Sequence, residues 1–85
     1  MEEEPWYVCE VRRAGPSDDT EIYIWLVKKS GPGRNFDHWF KAAASQRKEM
    51  LATALTAITT GLRVDAFLPS TANYATIERL YITRE

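Results

Sequence analysis

The stretch EMLATALTAITTGL, residues 49–62, decides the fold because it has the pattern of a single α-helix. Apolar residues recur every three or four positions, and a glycine follows where a left-handed residue commonly ends a helix. The pattern predicts a helix over residues 46–60 that is capped by Ser45, carries Glu49 in its first turn and ends at Gly61. We expect its sheet-facing side to be formed by Leu51, Ala54, Leu55 and Ile58.

Five segments around this helix have the composition of β-strands. They are rich in β-branched and aromatic residues, most alternate between apolar and polar positions, and clusters of Gly, Pro, Ser, Asp and Asn separate several of them. The last segment breaks its alternation once, which predicts a bulge near Glu78 and Arg79. The predicted strands are WYVCEVRRA (6–14), EIYIWLVKK (21–29), FDHWFKA (36–42), LRVDAFLP (62–69) and ATIERLYITR (75–84).

The predicted order of elements is β-β-β-α-β-β, so the chain is mainly β with one helix, an α+β protein. This is the order of the OB-fold, a five-stranded barrel with a helix across one end, although other α+β domains share it. No apolar run approaches the roughly 20 residues that a membrane-spanning helix needs. We therefore predict a single OB-fold-like domain over residues 1–85 with no membrane span.

The charge and cysteine content exclude several classes of protein. Eleven Lys and Arg against twelve Asp and Glu give a net charge of -1, so we expect no nucleic-acid partner. One cysteine and one histidine form neither a disulfide nor a metal-ligand set, and we expect no metal and no cofactor. The start, MEEEPWY, is acidic and unlike an export signal, which predicts a cytoplasmic protein unless a signal peptide has been removed.

Two segments resemble the B subunits of bacterial AB5 toxins and small uncharacterised OB-fold proteins related to them: EMLATALTAITTGLRVDAFLPS (49–70) and IERLYI (77–82). In that family a helix of the form L-x-x-A-L-x-A ends in T-G or S-G, a short alternating strand follows, and the last strand ends in an I-x-x-L-Y-I-like pattern. The resemblance covers the carboxy-terminal half of the chain. The chain departs from the secreted members, which usually carry a signal peptide and often a cysteine pair.

The resemblance implies a homo-oligomer, a pentamer in which the helices line a central shaft and pack against neighbouring protomers. Such packing requires small side chains on helix faces where a solvated helix more often carries Lys and Glu pairs. The alternative is that alanine and threonine simply form an exposed face, which helix propensity permits. The residues concerned are Ala52, Thr53, Thr56, Ala57 and Thr60.

Catalysis is not expected from this sequence. His38 could act as a base for Cys9 only if the fold joined the first and third strands, and no third orienting group stands near either residue. Both residues are more typical of core packing. GPGR at 31–34 does not open a helix, so it predicts a turn rather than a phosphate loop.

Binding is the function that the aromatic residues favour. Trp39 and Tyr74 lie next to polar loops, and the loops after the first and fourth strands open on the same end of an OB-fold barrel. Hydroxyl, carboxylate, amide and phenol groups there suit a glycan or another neutral polyol. The alternatives are that the loop residues only form turns, and that the oligomer is a scaffold for a protein partner. The candidate ligand-binding residues are Ser17, Asp18, Asp19, Trp39, Asn73 and Tyr74.

Overall fold

The computed structural model describes residues 6–16, 20–31 and 33–83 of the 85-residue chain. Within them the chain is mainly β with one α-helix, as the sequence predicts. The strands are β1 (Trp6–Pro16), β2 (Ile22–Ser30), β3 (Asp37–Ala42), β4 (Arg63–Phe67), β5 (Thr76–Ile77) and β6 (Arg79–Thr83), and the helix is α1 (Arg47–Thr60).

The strands form one mixed sheet in the order β5-β3-β2-β1-β4-β6. All neighbouring strands are antiparallel except β3 and β5, which pair in parallel. The predicted fifth strand over residues 75–84 is therefore two strands, and the expected bulge is a break at Glu78. There the chain changes partners from β3 to β4, and the Glu78 N–H donates to the carbonyl oxygen of Phe67 at 3.0 Å. Because β5 and β6 lie at opposite edges, the sheet is not closed.

The core is formed by one face of the sheet and by one side of α1. Alternation along the strands directs every second side chain inward. Cys9, for which the sequence predicts core packing, is buried, and so is Val11. The largest fully buried side chains are Phe40, Ile24, Leu26, Leu68, Ile77, Val64 and Cys9. Tyr7 and Ile22 are partly buried against them.

The start of α1 differs from the prediction. A single turn of 3-10 helix, Ala44–Gln46, precedes it, so Ser45 lies within that turn and does not cap the helix. The flanking residue is Gln46, whose side chain makes no capping hydrogen bond. The end agrees with the prediction, because Gly61 is left-handed with φ 74° and its N–H donates to the Ala57 carbonyl oxygen at 2.9 Å.

The side of α1 that faces the sheet was predicted wrongly for most of its residues. Met50, Ala54 and Ala57 are buried, whereas Leu51 is half-buried and Leu55 and Ile58 are 46% and 41% exposed. Because the helix carries apolar or small residues on every side, the sequence pattern does not distinguish the inner face. Alanine on that face permits the helix to approach the sheet closely.

The outer surface of α1 carries no charge from Leu51 to Gly61. Four threonine hydroxyls in this part of the helix donate to the carbonyl oxygen four residues earlier, at 2.7–2.9 Å, so their donors are already used within the helix. The threonines are Thr53, Thr56, Thr59 and Thr60. Among the described residues no helix combines the length and the apolar content that crossing a membrane requires.

The loop between β2 and β3 is held by a lysine and requires a glycine. The ammonium group of the buried Lys28 donates to the carbonyl oxygens of Gly33 and Arg34 at 2.6 and 3.2 Å. Gly31 has φ 133°, and a Cβ atom there would lie 2.9 Å from the ring of Tyr7. Both contacts fix the loop against the start of β1.

Candidate functional site

A cleft of about 530 Å³ lies on the outer face of β1, β2 and β3, on the side of the sheet away from the core. Three parts of the chain form its walls. They are the end of β1, one outer-face residue each of β2 and β3, and the loop between β4 and β5. The lining residues are Arg13, Ala14, Gly15, Pro16, Tyr23, Trp39 and Tyr74.

A bulge in β1 determines that Arg13 faces this cleft. Val11 pairs with Leu26 and Arg13 with the next residue of β2, Trp25, so Arg12 is an extra residue without a partner in the ladder. The extra residue reverses the alternation of side chains along β1. Val11 therefore points into the core, and Arg13 lies on the outer face with its guanidinium carbon 5.9 Å from the centroid of the Trp25 ring.

The aromatic side chains of the outer face pack in pairs with their edges against each other. Trp25 and Trp39 are cross-strand neighbours whose ring centroids are 5.3 Å apart, and Tyr23 and Tyr74 are 5.6 Å apart. Edge-to-face contacts of this kind hold rings in fixed orientations. The indole N–H of Trp25 donates to a carboxylate oxygen of Asp37, which further fixes that ring.

The loop that carries Tyr74 is tied to β3 by backbone hydrogen bonds. The N–H of Tyr74 donates to the carbonyl oxygen of Trp39 at 2.8 Å. The N–H of Lys41 donates to the carbonyl oxygen of Ala75 at 2.9 Å. Tyr74 itself has φ 67°, a left-handed conformation that is uncommon for a residue other than glycine. Its side chain is 55% exposed at the mouth of the cleft.

The structure brings two of the six predicted site residues together. Trp39 and Tyr74 line the same cleft. Asn73 is exposed beside Tyr74 and does not line the cleft. The predicted residues Ser17, Asp18 and Asp19 lie outside the described residues.

Sequence reasoning missed five of the seven lining residues of the cleft, among them Arg13 and Tyr23. Tyr23 was not among the predicted site residues, although alternation along β2 places it on the face opposite Ile24. For Arg13, simple alternation along β1 predicts the core side. The bulge at Arg12 reverses this alternation, and no sequence pattern indicates that a bulge is present.

Of the two groups considered for catalysis, Cys9 lies inside the fold and His38 is half-buried. Cys9 is fully buried, and burial together with the charge of Asp65 raises the pKa of its thiol to about 12 against a weaker opposite effect of Lys28. The Nε2 atom of His38 is 2.8 Å from the Thr71 carbonyl oxygen, which can only accept, so this nitrogen carries the proton. The ring of His38 packs against both Phe36 and Phe40, which also contact each other.

No group of three or more His, Cys, Asp or Glu side chains that could hold a metal ion occurs within residues 6–16, 20–31 and 33–83. Comparisons of the chain with protein-family models, curated proteins and solved structures find no match. The geometry of the cleft is therefore the basis for assigning a function.

Proposed function

We propose that this chain is a non-enzymatic, homo-oligomeric binding module that holds a glycan or another small polar ring in the aromatic cleft. The observation that carries the proposal is the cleft itself. Its volume of about 530 Å³ lies within the roughly 300–1,000 Å³ of small-molecule sites. Three aromatic side chains from separate segments, Tyr23, Trp39 and Tyr74, give it apolar ring faces with phenol groups at their edges.

The chemistry of the cleft favours binding over catalysis. A sugar ring presents C–H groups on its faces and hydroxyls at its rim, which match aromatic faces bordered by phenol and guanidinium groups. The buried thiol of Cys9 is protonated at neutral pH and does not line the cleft. His38 likewise lies outside the lining and bonds the backbone at Thr71.

The fold that we propose is an OB-fold-like barrel. The strands at the two edges of the sheet, β5 and β6, are separated by Glu78 alone and so are nearly one strand. That strand pairs in parallel with β3 through its first part and antiparallel with β4 through its second. Such an arrangement brings the two edges of the sheet to the same segment of chain, which supports a barrel.

The homo-oligomer is supported by the outer surface of α1. Leu55 and Ile58 are more than two-fifths exposed on a helix without charge from Leu51 to Gly61, and an exposed apolar surface commonly marks a protein interface. The resemblance to AB5 B subunits implies five copies. The same surface favours a second candidate function, a scaffold that binds a protein partner through α1.

The test of binding is a glycan array probed with the labelled chain, followed by NMR titration with any glycan that is retained. Binding in the cleft shifts the indole N–H signal of Trp39 and leaves that of Trp6, which packs with Phe67 and Tyr81 outside the cleft, unchanged. An array on which no glycan is retained, together with a stable complex with a protein partner, would favour the scaffold.

A further inference from the structure

We infer that the ring bound in the cleft carries an anionic group, a carboxylate or a phosphate, and that Arg13 is the residue that selects it. This inference rests on the proposed function, because it names the class of ligand for the same cleft. It replaces the neutral polyol that the sequence favours with an acidic sugar or a sugar phosphate.

The first argument is the charge of the lining. Of the seven described residues that line the cleft, Arg13 is the one with a charged side chain. The outer face adds a second cation, because Lys41 is the cross-strand neighbour of Tyr23. An anionic group on the ligand would pair with this guanidinium by charge-assisted hydrogen bonds, which a neutral ligand does not form.

The second argument is that two described carboxylates on the same face of the sheet, those of Asp37 and Glu10, have other partners. Asp37 accepts a hydrogen bond from the indole N–H of Trp25. Glu10 lies 3.7 Å from the guanidinium of Arg12. Neither carboxylate lines the cleft, so the one charge among its described lining residues is the positive charge of Arg13, although the chain as a whole carries -1.

The third argument is the position of the guanidinium. Arg13 lies over the Trp25 ring, whose edge packs against Trp39. A planar guanidinium stacked on an aromatic ring keeps its N–H groups at its rim, where they can donate two parallel hydrogen bonds to a carboxylate or a phosphate. A ring lying against Trp39 or Tyr74 can therefore direct an anionic substituent to Arg13.

The experiment compares three probes of one ring type: methyl β-glucoside, methyl β-glucuronide and glucose 6-phosphate. Each is titrated into the full chain, and the indole N–H signal of Trp39 reports occupation of the cleft while that of Trp6 serves as internal control. We expect at least one anionic probe to bind about tenfold or more tightly than the neutral glucoside, as a charge-assisted bidentate pair permits. The anionic probe that is preferred identifies the group as carboxylate or phosphate.

Arg13→Gln should abolish this preference and leave the weak binding of the glucoside unchanged. The matched control is Arg79→Gln, which removes the same charge from the outer face of β6, where Arg79 lies over Phe67. The control should keep the preference. Unchanged signals of Trp6 and of the backbone confirm that each variant is folded.

Each result decides a different claim. Equal affinities for all three probes would overturn the inference that the ligand is anionic, but not the proposal that the cleft binds a sugar. A preference that survives Arg13→Gln would overturn the role of Arg13. A Trp39 signal that responds to none of the probes would contradict both the inference and binding of a sugar in the cleft.

Discussion

The backbone N–H of Tyr74 donates a hydrogen bond to the carbonyl oxygen of Trp39, at 2.8 Å. The two residues are 35 positions apart, and this bond joins the loop between β4 and β5 to the middle of β3. It depends on backbone atoms alone, so it persists when either side chain is replaced. The two side chains can therefore be tested for binding without loss of the loop's position.

Tyr74→Ala should weaken binding of any ligand held in the cleft by about tenfold, the loss expected for a stacking aromatic ring. Tyr81→Ala is a matched control, because Tyr81 is 53% exposed against 55% for Tyr74 and packs with Trp6 outside the cleft. Isothermal titration measures both affinities. Equal affinities for the two variants would exclude Tyr74 from the site.

Leu55→Lys should dissociate the oligomer, because an ammonium group buried in an apolar interface has no partner. Leu55 is exposed in the single chain, so the substitution should leave the fold intact. Asn35→Lys, which adds the same charge at an exposed position of the loop before β3, should leave the mass unchanged. Sedimentation at micromolar concentration measures the mass, and a wild-type mass of one chain would contradict the proposed assembly.

Gly31→Ala should destabilise the fold by about 2 kcal/mol or more, because the backbone at φ 133° disfavours any side chain and the new Cβ atom would meet the Tyr7 ring. Gly15→Ala is the control, since no atom lies within 4 Å of a Cβ atom there and no unusual φ is required. Urea unfolding of the two variants measures the difference. Similar midpoints would show that the loop adapts to a side chain.

Lys28→Met should lower the free energy of unfolding by about 1–2 kcal/mol, because it keeps the apolar stem and removes the ammonium that bonds two loop carbonyls. The loop over residues 31–35 should also become more sensitive to protease. Lys29→Met, at an exposed neighbouring position, should stay within about 0.5 kcal/mol of the wild type. Thermal unfolding and limited proteolysis are the measurements.

Cys9 should make the fold less stable as the pH rises above 9. Its thiol has a pKa of about 12 when folded against 9.0 ordinarily, so between these values the unfolded chain loses the proton and the folded chain keeps it. Ionisation of this thiol should therefore lower the free energy of unfolding by about 1.4 kcal/mol for each pH unit above 9. Cys9→Ala should not show this loss of stability. The free energy of unfolding is measured against pH for the wild type and the variant, and the difference between the two profiles gives the contribution of Cys9.

The positions of strands and helix follow from local patterns. Gly61 ends α1 because glycine adopts the left-handed conformation without strain, and alternation along β1 and β2 directs Cys9 and Ile24 into the core. The buried side of α1 was not predictable in the same way. Apolar or small residues occur on every side of that helix. From the sequence alone, the side with Met50 and Ala57 is therefore as suitable for burial as the side with Leu55 and Ile58.

Features that depend on distant partners were also not predictable. The break at Glu78 reflects two different neighbours, β3 and β4, that are far apart in the chain. Within the candidate site, Trp39 and Tyr74 were predicted because each adjoins a polar loop. Arg13 was not predicted, because the bulge that places its side chain on the outer face cannot be recognised from the sequence.

The unpaired residue at position 12 has a consequence for how β1 tolerates change. Its side chain is exposed and forms a surface ion pair with Glu10 at 3.7 Å, so many residue types can stand there. Its presence is not needed for the pairing either, because without Arg12 the ladder would be regular, with Val11 still opposite Leu26 and Arg13 still opposite Trp25. A deletion at this point should therefore leave Arg13 on the outer face and Ala14 on the core side, and the cleft would keep its cation with a straighter β1.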